Sequence, residues 1–365
     1  MKTEASGGLA SGGRPRVVVA MSGGVDSSVA AALLIEAGYD VEGASLRLWD
    51  STRTDDRICS DHRDAARVAK FLRITHTLID QRERFESRVV APFVAAYADG
   101  RTPNPCAACN SEFKLGWLSE WAAERGSGAV ATGHYARVDR SAGRVRLRRG
   151  ADPARDQSYF LFQLDRRRLE RTLFPLGEWR KDEVRNYARS LGLPVSEKLD
   201  SQDLCFGDPA RLVAARARGG GEGEIVDESG RRLGRHPGIE RFTVGQRRGL
   251  GIAAETPLYV QALDAATRRV KVAPAPPRAL GLVARDWTWI DDPPAVGEEL
   301  SAQIRHRHPA IPARVGPCPG ADGRPRMRVD FDRPALSVAA GQAVVVYRGD
   351  EVVGGGWIER AIPLR

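Results

Sequence analysis

The stretch Arg-Val-Val-Val-Ala-Met-Ser-Gly-Gly-Val-Asp-Ser-Ser, residues 16–28, decides the fold. An apolar β-type run empties into a Gly-Gly turn that opens an Ala-rich helix. Read this way, the backbone N–H groups of Ser22, Gly23 and Gly24, the hydroxyls of Ser27 and Ser28, and the positive end of the helix dipole converge where an anion can sit. The loop has no lysine of its own. A G-x-x-x-x-G-K-S/T loop uses its lysine to grip the β and γ phosphates, whereas a lysine-free loop suits enzymes that cut ATP between its α and β phosphates and release pyrophosphate. The plainer alternative is a tight turn whose serines only cap the helix.

Outward from that stretch, short apolar runs alternate with helical ones as far as about Val138: Val17 to Met21, Ser27 to Ala37, Val41 to Leu48, Asp61 to Leu72, Thr75 to Ile79, Phe85 to Ala98. The alternation predicts an α/β fold with a doubly wound parallel sheet, ligands lying outside the carboxyl ends of its strands. Leu46 and the pair Gly133-His134 fall at the same edge as the loop. Lys181 to Leu191 is the clearest helix of the next segment, which a non-helical insertion around Asp200 to Asp208 interrupts. Beyond Gly219, Gly-rich turns and Pro-rich joints separate alternating segments such as Arg326 to Phe331 and Ala343 to Tyr347, the pattern of a small barrel. The expected divisions are 1–14, a disordered lead-in; 15–150, a nucleotide-binding domain; 151–218, a helical extension carrying Cys205; 219–280, a small, mixed, β-rich central domain; and 281–365, a C-terminal β-barrel.

The 365 residues, 42% apolar and 28% charged, suit a soluble protein of several domains. No stretch approaches the roughly 18 uninterrupted apolar residues of a membrane span. The N-terminus lacks the apolar core of a signal peptide, so a cytoplasmic protein with no membrane partner is expected. Net charge is +9, with arginines clustered at 144–149, 166–168, 247–248 and 305–307. That pattern fits a polyanion-binding face or an Arg-rich solvated surface.

The five cysteines are Cys59, Cys106, Cys109, Cys205 and Cys318, an odd number spread over a long chain, which argues against a disulfide scaffold. Thr-Pro-Asn-Pro-Cys-Ala-Ala-Cys-Asn, residues 102–110, ends just before a helix expected near Ser111, so Cys109 is expected at a helix N-terminus with a stabilised, reactive thiolate. Cys205 sits in a polar stretch, a poor place for a structural cysteine. Cys59 and Cys318 read as inert thiols. No second Cys pair or His pair stands at zinc-finger spacing. An iron–sulfur cluster on Cys106, Cys109 and Cys205, a 4Fe-4S centre with one iron open to sulfide, stays chemically sensible.

Taken in order, Ser22-Gly-Gly-Val-Asp-Ser-Ser, Asn104-Pro-Cys-Ala-Ala-Cys-Asn, Ala131-Thr-Gly-His-Tyr-Ala-Arg, Arg155-Asp-Gln-Ser-Tyr-Phe-Leu, Thr243-Val-Gly-Gln-Arg-Arg-Gly-Leu-Gly and Gly354-Gly-Gly resemble the bacterial tRNA-specific 2-thiouridylase family of pyrophosphate-loop ATPases, from about residue 16 to 360. The resemblance implies an adenine nucleotide alpha hydrolase-like domain and an enzyme that replaces the carbon-2 oxygen of the wobble uridine of tRNA with sulfur. It places ATP on Ala20, Met21, Ser22, Gly23, Gly24, Val25, Asp26 and Ser27, with Leu46 and Gly133 near the adenine moiety and Asp26 placing Mg²⁺. It implies a persulfide on Cys205, supplied by a cysteine desulfurase or sulfur-relay protein, and Cys109 as the nucleophile that releases the sulfur and leaves a Cys109–Cys205 disulfide. tRNA contacts carry over to His134, Arg155, Asp156, Gln157, Arg305, His306 and Gln342. Three positions depart from the pattern: Cys106 where some members have Asp, Arg155 where many have Lys, and Leu46 where Met is known. The thiol cannot replace a carboxylate base, while the other two changes keep charge and volume. The alternatives are another adenylating ligase or amidotransferase, which would need no paired thiols, and a non-catalytic tRNA-binding protein.

Overall fold

The computed structural model describes residues 13–49, 57–200, 204–216, 221–320 and 322–364. The expected lead-in over 1–14 lies outside them except for its last two residues, and nothing is described of the Cys59 side chain. The chain divides into two compact units, one of Met1–Glu86, Cys106–Phe206 and Asp350–Val352, the other of Ser87–Pro105, Gly207–Gly349 and Val353–Arg365.

The first unit holds the strands β1 (Arg16–Ala20), β2 (Asp40–Arg47), β3 (Thr75–Asp80), β4 (Ala129–Ala131), the hairpin β5 (Ala136–Asp139) and β6 (Arg146–Arg149), and β7 (Thr172–Leu173). Five of them make a parallel sheet in the order β3-β2-β1-β4-β7. Val17, Val18 and Val19 are all buried, as a strand covered on both faces requires. The covering helices are α1 (Val25–Glu36), which buries Val29, Ala30 and Ala31, and α2 (Arg57–Leu72), which buries Ala65, Val68 and Ala69. The helix Lys181–Ser190 adds Val184 and Ala188 to the same core. The doubly wound α/β expectation is met. The short strand β7 and the antiparallel β5–β6 hairpin, whose β6 pairs with Glu351 and Val352, are additions the sequence did not announce.

In the second unit β8 (Gly223–Val226), β9 (Arg232–His236), β10 (Tyr259–Asp264) and β11 (Arg269–Ala273) form a small sheet in the order β10-β11-β8-β9, packed around Ile225, Val260, Val270 and Val272. The remaining strands are β12 (Arg278–Trp289), β13 (Leu300–Gln303), β14 (Ile311–Pro319), β15 (Pro325–Leu336), β16 (Ala343–Arg348) and β17 (Glu351–Pro363). They run β12-β15-β14-β13-β16-β17, and β17 pairs back onto β12 to close the expected barrel. The glycine run on β17 has a steric cause: a Cβ on Gly354 would lie 2.7 Å from the Trp289 ring and one on Gly356 2.8 Å from the Trp287 ring. Among the described residues no helix is long and apolar enough to cross a membrane.

Candidate functional site

At the carboxyl end of β1 the chain turns through Gly23, whose φ of +72° lies in the left-handed region and whose Cβ, if present, would stand 2.0 Å from the Asp61 carbonyl oxygen. Only glycine fits there. Gly24 follows as the N-cap of α1, extended and with no side-chain cap, so the first N–H groups of this helix are not claimed by a capping side chain. Three groups expected to face an anion are turned elsewhere, the Ser27 hydroxyl among them, which donates to the Gly24 carbonyl at 3.2 Å. The Ser22 N–H donates to Ser27 Oγ at 3.2 Å, and the buried Ser28 hydroxyl donates to the Gly24 carbonyl at 2.8 Å, because a serine one turn into a helix finds that carbonyl nearest. Ala20 ends β1, Met21 and Val25 are buried beneath the loop, and Ser22 is exposed. Gly133 packs its backbone on the start of α1, where a Cβ would lie 2.7 Å from Ser27 N and 2.8 Å from the Asp26 carbonyl carbon. Leu46 is half-buried near the end of β2, opposite Ile79. Beside it the Ser45 hydroxyl donates to the Met21 carbonyl at 2.6 Å.

The loop lacks a lysine, yet two lysines reach it from far along the chain. Lys181 opens its helix, its N–H held by Asp152 Oδ2 at 3.1 Å, and its Nζ lies 2.7 Å from Asp26 Oδ1 and 2.8 Å from Asp200 Oδ1. Tyr135 donates its hydroxyl to Asp26 at 2.8 Å, and burial together with Asp26 pushes the phenol pKa far up, so it stays a neutral donor. Asp200 also meets Arg185 at 2.8 Å and Arg155 at 3.0 Å. Burial works against its charge, but these cations hold its pKa below the usual carboxylate value. Lys198 donates to the Gly23 carbonyl at 3.1 Å and to Asp61 and Asp64 at 2.6 and 2.7 Å. Lys181, Lys198, Tyr135 and Asp200 carry no local signal that marks them as loop partners.

The thiols differ from their expected setting. The helix begins at Pro105, so Cys106 and not Cys109 lies in its first turn, and past Cys109 the chain continues without a break into a π-helix over Asn110–Trp117. Cys109 is therefore inside a helical run and buried, and burial pushes its thiol up to about 11, against the dipole-stabilised thiolate expected of it. Cys106 is exposed, its thiol also raised by the protein packed about it. Cys205 is exposed by residue surface, yet the packing around it and then the nearby Cys109 thiol push it up to about 12. The Lys114 ammonium lowers all three and so is the cation they share. All three are free thiols, as is Cys318, half-buried on β14. Among the described residues no three Cys, His, Asp or Glu side chains converge to hold a metal ion.

Of the expected tRNA contacts in this unit, Arg155 keeps 37% of its side-chain surface exposed. Asp156 is consumed internally by Arg149, the Gly150 and Ser158 N–H groups and the Ser158 hydroxyl. Gln157 exchanges hydrogen bonds with the Tyr135 backbone. His134 is buried, with Nδ1 2.6 Å from Thr132 Oγ1, and burial drives its pKa down to about 3, so it is neutral. Arg305, His306 and Gln342 belong to the second unit. Arg305 donates to the Ser337 carbonyl at 3.3 Å and Gln342 to the Thr102 carbonyl at 2.9 Å.

Three family models match: a tRNA methyl transferase HUP domain over residues 15–208, a tRNA methyl transferase PRC-barrel domain over 214–274, and an aminomethyltransferase beta-barrel domain over 280–358. Among curated relatives, the tRNA-specific 2-thiouridylase MnmA of Geotalea uraniireducens is 48% identical over 96% of both chains. That of Geobacter metallireducens is 47% identical over 96% of this chain and 98% of its own, and that of Acidobacterium capsulatum 46% over 94% and 98%. The uncapped loop and the coupled thiols thus stand in a chain that matches these proteins nearly end to end, and it belongs to the tRNA-specific 2-thiouridylase family.

Proposed function

We propose that this chain is a cytoplasmic, ATP-dependent sulfurtransferase that places sulfur at carbon 2 of the wobble uridine of tRNA. The observation that carries the reading is that one unit holds both the uncapped phosphate loop and two thiols, Cys109 and Cys205, the first near enough to disfavour the thiolate of the second. ATP lies along Ala20 to Ser27, with Leu46 and Gly133 toward the base. Asp26 would offer a carboxylate to the magnesium that accompanies the triphosphate, an ion that would offset phosphate charge. Lys181 then exchanges Asp26 for phosphate oxygen.

The uridine O2 attacks the α phosphorus, pyrophosphate leaves, and the ring carbon now carries AMP as a leaving group. A persulfide on Cys205, charged by a cysteine desulfurase or a sulfur-relay protein, attacks that carbon through its outer sulfur and AMP departs. The Cys109 thiolate attacks the Cys205 Sγ, the Cys205 S–S bond breaks, and its electron pair stays on the sulfur bound to carbon 2. A Cys109–Cys205 disulfide remains, which an external dithiol must reopen. No step passes through an iron–sulfur cluster. Arg155, Arg305, His306 and Gln342 are proposed to meet tRNA, with the C-terminal barrel as a contacting domain, while Asp156 and Gln157 take backbone N–H groups and the His134 ring meets the Thr132 hydroxyl. Incubation of the protein with ATP, a persulfide source and tRNA, followed by nucleoside mass spectrometry, is expected to give 2-thiouridine with AMP and pyrophosphate. ADP and orthophosphate as products would overturn the reading.

A further inference from the structure

Lys198 has no task in the scheme above, yet its ammonium spends its three N–H donors on the Gly23 carbonyl and on two carboxylates of α2, Asp61 and Asp64. Burial disfavours its charge, but those carboxylates outweigh it and raise its pKa, so it is a cation throughout the working range. The Gly23 carbonyl and the Gly24 N–H belong to one planar trans peptide and point in opposite directions. An oxygen held toward Lys198 therefore aims the Gly24 N–H to the other side of the loop, and nothing among the described residues accepts it. Gly23 has no Cβ to fix this peptide by steric means, and its left-handed φ is one that glycine readily leaves. An outside contact must hold it.

We propose that Lys198 is a positioning residue for pyrophosphate chemistry: from outside the loop it locks the Gly23–Gly24 peptide so that the Gly24 N–H faces the two outer phosphates of ATP. The inference rests on the loop being the phosphate site. It differs from a general attraction between lysine and phosphate, because every donor of this ammonium is already engaged and its effect passes through the peptide.

Isothermal titration of the full chain with Mg-ATP, inorganic pyrophosphate and AMP tests it, with thermal melting as the check on folding. Lys198→Met is expected to weaken ATP and pyrophosphate about tenfold, the worth of one hydrogen bond to a charged group, and to leave AMP unchanged. Lys198→Arg, which keeps a cation with several donors, is expected to stay within about threefold of the parent. The triple variant with Asp61→Asn and Asp64→Asn added to Lys198→Met separates positioning from charge. Continued loss supports positioning, and recovery of parent affinity would show that uncompensated carboxylates were the cause and overturn it. Equal affinity in parent and Lys198→Met, or an equal loss for all three ligands, would also overturn it. A parent that bound neither ATP nor pyrophosphate would instead sink the phosphate-site reading itself, and Lys198 with it.

Discussion

Alkylation of Cys109 as a function of pH separates the folded protein from the expectation that its helix makes this thiol acidic. With the thiol pushed up to about 11, the thiolate fraction at pH 7.5 is about 3 in 10,000, against about one in ten for a free cysteine near 8.5. The ratio is about 300-fold. A more basic thiolate is also the better nucleophile, and a Brønsted coefficient of about 0.4–0.5 over that difference returns a factor of about 10 to 20. Cys109 is therefore expected to react with iodoacetamide about 20-fold more slowly than a free thiol at pH 7.5, before any further slowing from its burial. The logarithm of its rate should climb with near unit slope from pH 7 to 10. The assay is peptide mass spectrometry after timed quenching, which resolves Cys109 from Cys106 and Cys205. A plateau with a midpoint between pH 6 and 8 would refute the reasoning and restore the dipole-activated thiolate.

The other perturbations probe the ATP side and the sulfur carrier. Lys181→Met removes the cation between Asp26 and Asp200, leaving Asp200 its two arginines but Asp26 only Tyr135; the expected loss is about 2 kcal/mol of stability, read by denaturant unfolding, and about 100-fold in ATP affinity, and unchanged affinity would refute the role. Cys205→Ser should bind ATP and tRNA as the parent does and form no 2-thiouridine; continued thiolation would remove the persulfide route. Gly133→Ala drives a methyl against the Ser27 N and Asp26 carbonyl carbon, so overpacking of about 1–3 kcal/mol and weaker ATP binding are expected, and a parent-like melting temperature would show that α1 can give way.

What was legible in the sequence was whatever local pattern enforces. Val17 to Val19 announce a covered strand, Gly23 a left-handed turn, and the alternation in Arg326 to Phe331 a barrel strand, because each is fixed by neighbours in the chain. The start of the Cys106 helix was missed because Pro103 and Pro105 read as breakers, whereas a proline whose N–H would be unpaired anyway sits well in a first helical turn. The π-helical run after Cys109 has no side-chain signature. Lys181 and Lys198 were missed for a different reason: their partners in the loop lie 155 and 175 positions away, and no periodicity reports a pairing of that span. Asp156 and Gln157 enter as tRNA contacts only through the resemblance, and no local pattern announces that their side chains take the Gly150, Ser158 and Tyr135 backbone N–H groups.

The borrowed lysines bear on how the two halves of the reaction are kept in step. A lysine inside the loop would grip phosphate whatever the rest of the chain did. Here Lys181 bridges Asp26 and Asp200, and the loop peptide is held by Lys198. Lys198 and Asp200 both belong to the stretch that leads to Cys205, so the residues that complete the ATP side are the ones that precede the sulfur carrier in the chain. In the proposed scheme, loss of Lys198 from the Gly23 carbonyl together with loss of Asp200 from Lys181 would remove the loop's outside support on both sides.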